Sequence, residues 1–256
     1  MNKSTERFTE TVDDYIKYRP SYPKELLQLL IDQCGLTKNS TVADVGSGTG
    51  LLSKLLLDYG SSVYCVEPNQ SMRVAAEEYL RSYPAFHSID GTAEATLLEN
   101  QSVDIITVGT AFHWFELNKT KAEFRRILKI GGWVFLVWNV RNTDQSPMLR
   151  DYENLLLKYG TDYKDSHAIK FDKTAVAEFF SPNEMKVCSF KNTQNFDWEG
   201  FKGRLFSTSY SLRPSDGPRY QQMIYALREV YDRYQKDGVV EFLYDTKVNY
   251  GRIQNV

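Results

Sequence analysis

The 256-residue sequence has little of several features that define protein classes. Only three residues are cysteines, and because they are widely separated and odd in number, neither a disulfide framework nor a zinc or other metal site is predicted. No run of about 18 apolar residues occurs, and the first 20 residues lack the apolar segment of a signal peptide. These absences favour a cytoplasmic protein with no membrane partner.

Neither sign of charge is in clear excess. Lys and Arg number 31 against 33 Asp and Glu, and the isoelectric point is near 6.0. Proteins that bind nucleic acid usually carry a basic surface, so no nucleic-acid partner is expected. The basic residues between Lys119 and Lys129 are interpreted as the solvated face of a helix. The sequence leaves the oligomeric state open between monomer and dimer.

The first 140 residues alternate short apolar runs with amphipathic stretches. The predicted strands are 41–45, 62–66, 85–89, 103–108 and 133–138. The predicted helices are 21–34, 51–59, 70–81 and 117–129. This alternation predicts an α/β fold with a doubly wound, mainly parallel sheet.

Beyond residue 140 the alternation weakens. Helices are predicted at 148–159 and 174–180, and late strands at 186–196 and 239–250. Because a helical segment near 197–238 separates these strands, we expect an antiparallel completion of a seven-stranded sheet with a helical cap. Residues 1–140 are thus predicted to be a ligand-binding core with an N-terminal arm, and 141–256 to complete the sheet and carry the substrate cap.

A glycine-rich stretch, VADVGSGTG, joins the first predicted strand to a helix. Gly46, Gly48 and Gly50 indicate a close approach of the backbone, either to a ligand or to another part of the chain. The dinucleotide motif places its third glycine where this chain has Leu51, and the same residue occupies the glycine position of a phosphate-binding P-loop. Neither phosphate-binding motif fits.

An acidic residue, Glu67, ends the second predicted strand. It follows Gly46 by about 20 residues, the spacing at which a carboxylate accepts hydrogen bonds from a ribose diol in nucleotide-binding βαβ units. The alternative is an exposed acid at a strand end. A ribose site without a phosphate site favours a nucleoside with an uncharged 5′ link, and S-adenosylmethionine has this chemistry.

Three motifs occur in the order typical of one large enzyme family. VADVGSGTG resembles the first motif of class I S-adenosylmethionine-dependent methyltransferases, residues 66–69 (VEPN) their second, and residues 128–132 (LKIGG) their late turn, with Ile130 where proline is commoner. The resemblance covers about residues 5–140 and implies a Rossmann-like fold. It also implies an enzyme that uses S-adenosyl-L-methionine and releases S-adenosyl-L-homocysteine.

Three shorter stretches resemble one branch of that family. YRPSYP at 18–23, GTAE at 91–94 and AFHWF at 111–115 are similar to the type 11 branch that includes trans-aconitate methyltransferase-like proteins. The branch resemblance suggests an acidic metabolite as methyl acceptor. Methylation of RNA or protein, or cofactor binding without catalysis, are the alternatives.

The resemblance also implies which residues bind the cofactor. Asp44 helps to organise its ammonium group, with capping of the glycine loop as the alternative, and Arg19 offers its guanidinium to a carboxylate of the cofactor or of the acceptor. Thr92 stands where many relatives have an acid. The cofactor-binding set is Tyr18, Arg19, Asp44, Gly46, Ser47, Gly48, Gly50, Glu67, Pro68, Asn69, Met72, Thr92, Ala93, Glu94, Gly109 and Thr110.

The sequence gives fewer indications of which residues bind the substrate. His113 is the candidate catalytic base for a hydroxyl acceptor, although a histidine among aromatic residues is as readily a packed structural one. The substrate-binding candidates are Tyr22, His113, Trp114, Arg204 and Tyr210.

Overall fold

A seven-stranded sheet forms the centre of the fold. The computed structural model describes residues 12–161, 163 and 173–253. The strand order is β3-β2-β1-β4-β5-β7-β6. The strands are β1 (Thr41–Val45), β2 (Ser62–Val66), β3 (Phe86–Ile89), β4 (Val103–Gly109), β5 (Leu128–Arg141), β6 (Met185–Phe196) and β7 (Val240–Gly251).

Strands β1 to β5 are parallel to their neighbours, and the last two strands run antiparallel. Val42 of β1 lies between Val63 of β2 and Ile105 of β4, whereas β7 lies between β5 and β6 and is antiparallel to both. The predicted doubly wound, mainly parallel seven-stranded sheet is thereby confirmed. The carboxyl ends of β1, β2 and β4 meet at one edge of the sheet, where ligands of such folds bind.

Nine helices of the described residues surround the sheet. They are α1 (Val12–Tyr18), α2 (Lys24–Cys34), α3 (Leu51–Tyr59), α4 (Gln70–Leu80), α5 (Leu117–Ile127), α6 (Pro147–Tyr159), α7 (Lys173–Phe180), α8 (Trp198–Phe206) and α9 (Pro218–Tyr234). Leu30 and Leu56 pack on one face of the sheet, and Phe124 and Phe179 pack on the other. Both faces are therefore covered, as the near-continuous apolar strands predict.

Several element boundaries differ from the sequence prediction, and the largest differences lie at the first predicted helix and at the fifth predicted strand. The helix predicted from residue 21 begins at Lys24, because Pro23 has an extended conformation (ψ 151°) and serves as the N-cap. The helix predicted to reach residue 129 ends at Ile127, and the segment predicted as a turn forms the start of β5. The pairing of β4 with β5 shifts register between Val103 and Ile105 there.

A second apolar core lies beyond the ends of β6 and β7. Helices α6, α8 and α9 bury Tyr152, Phe201 and Leu227 against Phe242 of β7. These three helices and the adjoining ends of β6 and β7 constitute the cap. No helix of residues 12–161 and 173–253 is both long and apolar enough to cross a membrane.

Candidate functional site

The glycine loop uses its three glycines differently. Gly46, Gly48 and Gly50 have φ values of 67°, 57° and 82°, which favour glycine. A Cβ on Gly46 would lie 2.6 Å from Ala111 Cβ, and one on Gly50 would lie 2.5 Å from Leu80 Cδ1. A Cβ on Gly48 would meet nothing within 4 Å. Gly46 and Gly50 thus permit close packing, whereas Gly48 faces open space.

Glu67 anchors this loop from the end of β2. Its Oε2 accepts a hydrogen bond from the Gly48 backbone N–H at 2.9 Å, and its Oε1 accepts one from the Asn69 backbone N–H at 2.9 Å. Burial raises the pKa of Glu67, and these two hydrogen bonds oppose that rise. Each carboxylate oxygen keeps a lone pair for a ligand hydroxyl. Asn69 in turn caps α4 by accepting from the Met72 N–H at 2.9 Å.

A cleft opens between the glycine loop and the strand ends. One of its lobes lies beside Glu67 and combines the carboxylate with apolar and aromatic walls. The residues lining this nucleoside lobe are Tyr15, Gly46, Gly48, Glu67, Pro68, Asn69, Met72, Gly109, Thr110, Ala111, Trp114 and Phe115. A carboxylate beside a flat apolar slot suits a ribose joined to a planar base.

The other lobe is more polar and extends towards the cap. The residues lining this charged lobe are Tyr15, Arg19, Pro20, Tyr22, Asp44, Gly46, Ser47, Gly48, Thr49, Leu51, Leu52, Gly109, Thr110, Asn139 and Arg204. Five residues line both lobes: Tyr15, Gly46, Gly48, Gly109 and Thr110. The two lobes therefore form one continuous cleft.

Asp44 supplies the negative charge of the charged lobe. Its side chain accepts hydrogen bonds from Ser53 Oγ at 2.5 Å and from Thr107 Oγ1 at 3.0 Å. The residue is only 1% exposed, and burial raises the pKa of its carboxyl to about 6, although both hydroxyls act in the opposite direction. Asp44 is therefore poised to gain a cationic partner.

Two arginines supply the positive charge. Arg204 is 2% exposed and donates to Tyr244 Oη at 2.9 Å and Ser207 Oγ at 3.3 Å. Arg19 donates to the Ser207 carbonyl through Nε at 3.2 Å and through a terminal nitrogen at 2.9 Å. Burial, reinforced by the charge of Arg204, lowers the pKa of Arg19.

Neither guanidinium has a carboxylate partner among the described residues, in contrast to that of Arg141. Arg141 forms an ion pair with Glu153 at 2.9 Å. Arg19 and Arg204 donate only to a carbonyl and to hydroxyl groups. Since buried charges in proteins are usually compensated, the charged lobe has the electrostatics of an anion site.

The structure brings most of the predicted cofactor residues together at this cleft. Those that line it are Arg19, Asp44, Gly46, Ser47, Gly48, Glu67, Pro68, Asn69, Met72, Gly109 and Thr110. The predicted substrate residues Tyr22, Trp114 and Arg204 line it as well. Gly109 also makes room for the arm, because a Cβ there would lie 2.5 Å from Tyr22 Oη.

The GTAE segment lies apart from the lining of the cleft. Glu94 Oε1 accepts a hydrogen bond from the Glu116 N–H at 2.8 Å, at the start of α5. Ala93 is buried in the main core, and Thr92 forms a single bridge with Ala95. In this conformation the three predicted residues support the loop.

Four other predicted residues also pack outside the lining of the cleft. The Tyr18 ring lies against Gly203 of α8 and is 6.4 Å from the Phe196 ring. Tyr210 packs in the cap core, 4.7 Å from the Tyr163 ring. His113 lies on a short 3-10 turn, with its ring 4.8 Å from that of Trp114. Gly50 packs against α4, as described above.

Several lining residues are absent from the predicted cofactor-binding and substrate-binding sets. The most informative is Asn139, a polar residue that follows the apolar run of β5 at its carboxyl end. That interruption is a signal visible in the sequence. The others are Tyr15, Pro20, Thr49, Leu51, Leu52, Ala111 and Phe115. Among the described residues, no group of three or more His, Cys, Asp or Glu side chains is placed to hold a metal ion.

Comparison with known proteins identifies the relatives of this chain. Residues 43–136 match the family described as a methyltransferase domain. An uncharacterized methyltransferase of Schizosaccharomyces pombe is 29% identical over 152 residues, which are 59% of each chain. An uncharacterized methyltransferase of Mycobacterium tuberculosis is 32% identical over 158 residues, which are 62% of each chain. The match therefore spans about three-fifths of these relatives' length.

A solved structure extends the similarity to nearly the whole fold. A type II methyltransferase from Anaeromyxobacter dehalogenans superposes with a TM-score of 0.65 at 20% identity and covers 92% of this chain and 98% of its own. At that identity the match concerns the fold. It includes the antiparallel end of the sheet and the cap, which the family match leaves out.

Proposed function

We propose that this chain, which belongs to the class I methyltransferases, binds S-adenosylmethionine in the cleft and transfers its methyl group to a small-molecule acceptor. The observation that carries this proposal is the order of chemical groups along the cleft. An apolar slot beside Glu67 leads through Gly48 to a region with Asp44 and two arginines. That order matches a nucleoside joined without phosphates to an amino acid.

The residues present fit each part of this cofactor. Glu67 would accept hydrogen bonds from the ribose hydroxyls, and Met72 and Phe115 would enclose the base. Asp44 would pair with the ammonium group, and Arg19 would pair with the carboxylate, which a guanidinium can bind through two hydrogen bonds. The open space at Gly48 leaves room for the ligand beside the loop.

S-adenosylmethionine supplies a methyl group that is already activated by a sulfonium centre, and S-adenosylhomocysteine is the product. The chain's own task is therefore to align donor and acceptor and to keep water away. Tyr15 and Tyr22 of the arm line the cleft and would serve both purposes. Trp114 offers an aromatic face to the nucleoside lobe.

We propose an acidic metabolite as the acceptor. Arg204 supports this choice, because its buried guanidinium would remain uncompensated after Arg19 pairs with the cofactor. An acceptor carboxylate needs no general base. The absence of a general base is consistent with the cleft, because His113 and Tyr210 lie outside its lining. If the acceptor were a hydroxyl, His113 would be the base and Tyr210 a substrate contact. The net charge of −2 supports a small-molecule partner over nucleic acid. A cytoplasmic location is part of the same proposal.

Titration calorimetry with S-adenosylmethionine and S-adenosylhomocysteine tests the cofactor assignment. Micromolar binding of both is the expected result, and folded protein that binds neither refutes it. Transfer of a radiolabelled methyl group into a mixture of small carboxylic acids tests the acceptor class. Parallel reactions with bulk RNA and with protein address the alternative acceptors. Binding without transfer to any of the three would favour a non-catalytic role.

A further inference from the structure

A closed ring of hydrogen bonds connects the N-terminal arm with the cap. Gln194 of β6 donates from Nε2 to the Arg19 carbonyl at 3.2 Å and to the Tyr18 carbonyl at 3.4 Å. Its Oε1 accepts from Tyr244 Oη of β7 at 3.1 Å. One amide side chain thus holds the backbone of the arm and a hydroxyl of the neighbouring strand together.

The ring continues through the buried Arg204 and the part-buried Arg19. Tyr244 Oη accepts from Arg204 Nε at 2.9 Å, and Arg204 also donates to Ser207 Oγ. The Ser207 carbonyl accepts from the Arg19 guanidinium. Five residues, Gln194, Tyr244, Arg204, Ser207 and Arg19, therefore form a circuit that returns to its starting point.

We propose that Gln194 is a positioning residue, which fixes the two guanidiniums of the charged lobe relative to each other without lining the cleft. This inference rests on the proposed function. Gln194 acts on Arg19 through the arm backbone and on Arg204 through the hydroxyl of Tyr244. A primary amide is suited to this place, since it donates on one side and accepts on the other.

Arg19 and Arg204, which have no carboxylate partner among the described residues, need such support. Both side chains have several rotatable bonds, and like charges repel, so each guanidinium would otherwise turn away from the other. Each instead donates to a neutral group that the ring holds in place. The arrangement keeps both donors directed to one lobe before an anion arrives, which lowers the cost of ordering them on binding.

A neighbouring amide provides the matched control. Asn192 of β6 donates to the Ser21 carbonyl at 2.7 Å, so it holds the same arm from the same strand. The Asn192 side chain also donates to Asn139 Oδ1 at 3.3 Å, and among the described residues it makes no hydrogen bond to the side chains of Tyr244, Arg204 or Ser207. Replacing Asn192 therefore loosens the arm without opening the ring, whereas replacing Gln194 does both.

Two ligands separate positioning from folding. S-adenosylhomocysteine has the amino-acid end that Arg19 would bind, and 5′-deoxy-5′-methylthioadenosine has the same nucleoside and thioether without that end. The experiment measures both affinities by calorimetry for the unaltered protein, Gln194→Met, Tyr244→Phe and Asn192→Ala. The readout is the affinity for S-adenosylhomocysteine divided by the affinity for 5′-deoxy-5′-methylthioadenosine. Binding of the shorter ligand also shows that the nucleoside lobe of each variant is folded.

Gln194→Met is expected to reduce the ratio about tenfold, the size of a weakened hydrogen bond to a charged group. Tyr244→Phe keeps the aromatic side chain and removes only the hydroxyl that links Gln194 to Arg204, so it should reduce the ratio similarly. Asn192→Ala should leave it unchanged. An unchanged ratio in both ring variants, or an equal fall in Asn192→Ala, overturns the role of Gln194. If the unaltered protein binds neither compound, the proposed function itself fails and this role falls with it.

Discussion

The backbone N–H of Gly48 donates to Glu67 Oε2 across 2.9 Å. This contact joins the loop after β1 to the residue that directly follows β2. It also orients the carboxylate, which lines the nucleoside lobe. The two residues are about 20 positions apart in the sequence, the separation characteristic of a βαβ unit. Loop shape and ribose recognition thus depend on the same side chain.

We expect Glu67→Ala to weaken binding of S-adenosylhomocysteine by about 1–3 kcal/mol, because a hydrogen bond to a charged group is lost. Calorimetry at neutral pH measures this change. Glu77→Ala is the control, since Glu77 is an exposed acid of α4 that accepts only from Ser88 Oγ among the described contacts. Equal affinities of Glu67→Ala and the unaltered protein would refute the ribose assignment.

Gly48→Val should abolish cofactor binding, because its side chain would extend into the open space of the cleft. The backbone also has a positive φ at this position, so strain must be separated from steric exclusion. Gly131→Val is matched for this purpose: Gly131 has φ 81°, and a Cβ there likewise meets nothing within 4 Å, but the residue does not line the cleft. Calorimetry should show lost binding for the first variant alone. Comparable losses in both would assign the effect to strain.

Asp44→Asn should stabilise the protein at neutral pH. The pKa of Asp44 rises from 3.8 to about 6 on folding, so the native state binds the proton more tightly than the unfolded state. Stability therefore falls as pH rises from about 4 to about 6, and above this range the penalty is complete, at about 2–3 kcal/mol. Asparagine removes the penalty. Urea denaturation should show a more stable variant near pH 8 and no difference near pH 4.

Asp58→Asn provides a control of opposite sign. Partial desolvation would raise the pKa of Asp58, but hydrogen bonds from Lys54 and Tyr83 outweigh it and lower the pKa below 3.8. Its charged form stabilises the native state above the unfolded pKa, and that contribution is lost as pH falls. Asp58→Asn should thus be the less stable protein near neutral pH. A pH-independent effect of Asp44→Asn would refute the role of burial.

Replacing Arg141 and replacing Arg204 by an uncharged side chain should have different effects on stability. Arg141→Met leaves Glu153 without its buried partner and should cost about 3 kcal/mol of stability. Arg204→Met leaves no unpaired carboxylate among the described residues and should change stability by less than about 1 kcal/mol, while methyl transfer to a carboxylate acceptor is lost. Urea denaturation and the radiolabel assay measure the two effects. A large destabilisation by Arg204→Met together with retained transfer would contradict an anion-binding role.

The parallel half of the fold was predictable from the sequence, because each of its elements is local. Apolar strands, amphipathic helices and glycine turns carry their own periodicities, and the spacing from Gly46 to Glu67 follows from one βαβ unit. The boundary errors arise where two local preferences compete. At Leu128 a helical pattern meets strand pairing with β4, and the pairing prevails.

Side-chain directions at the site were predictable only in part. Glu94 caps the region before α5, and Tyr18 faces Gly203, because each finds its partner in a segment distant along the chain. Spacing within a motif carries no information about such partners. Within the part of the chain that the structure describes, Arg204 has no carboxylate partner. This is likewise a property of the assembled cap, because the sequence around residue 204 has acids close by.

The position of β7 has a consequence for synthesis on the ribosome. This strand lies between β5 and β6, although it is made after both. The emerging chain must therefore hold β5 with an unpaired edge until Val240–Gly251 leaves the exit tunnel, and only then can β6 join the sheet. Tyr244 arrives with the same strand, so the arginines acquire their fixed orientation only after Val240–Gly251 has joined the sheet.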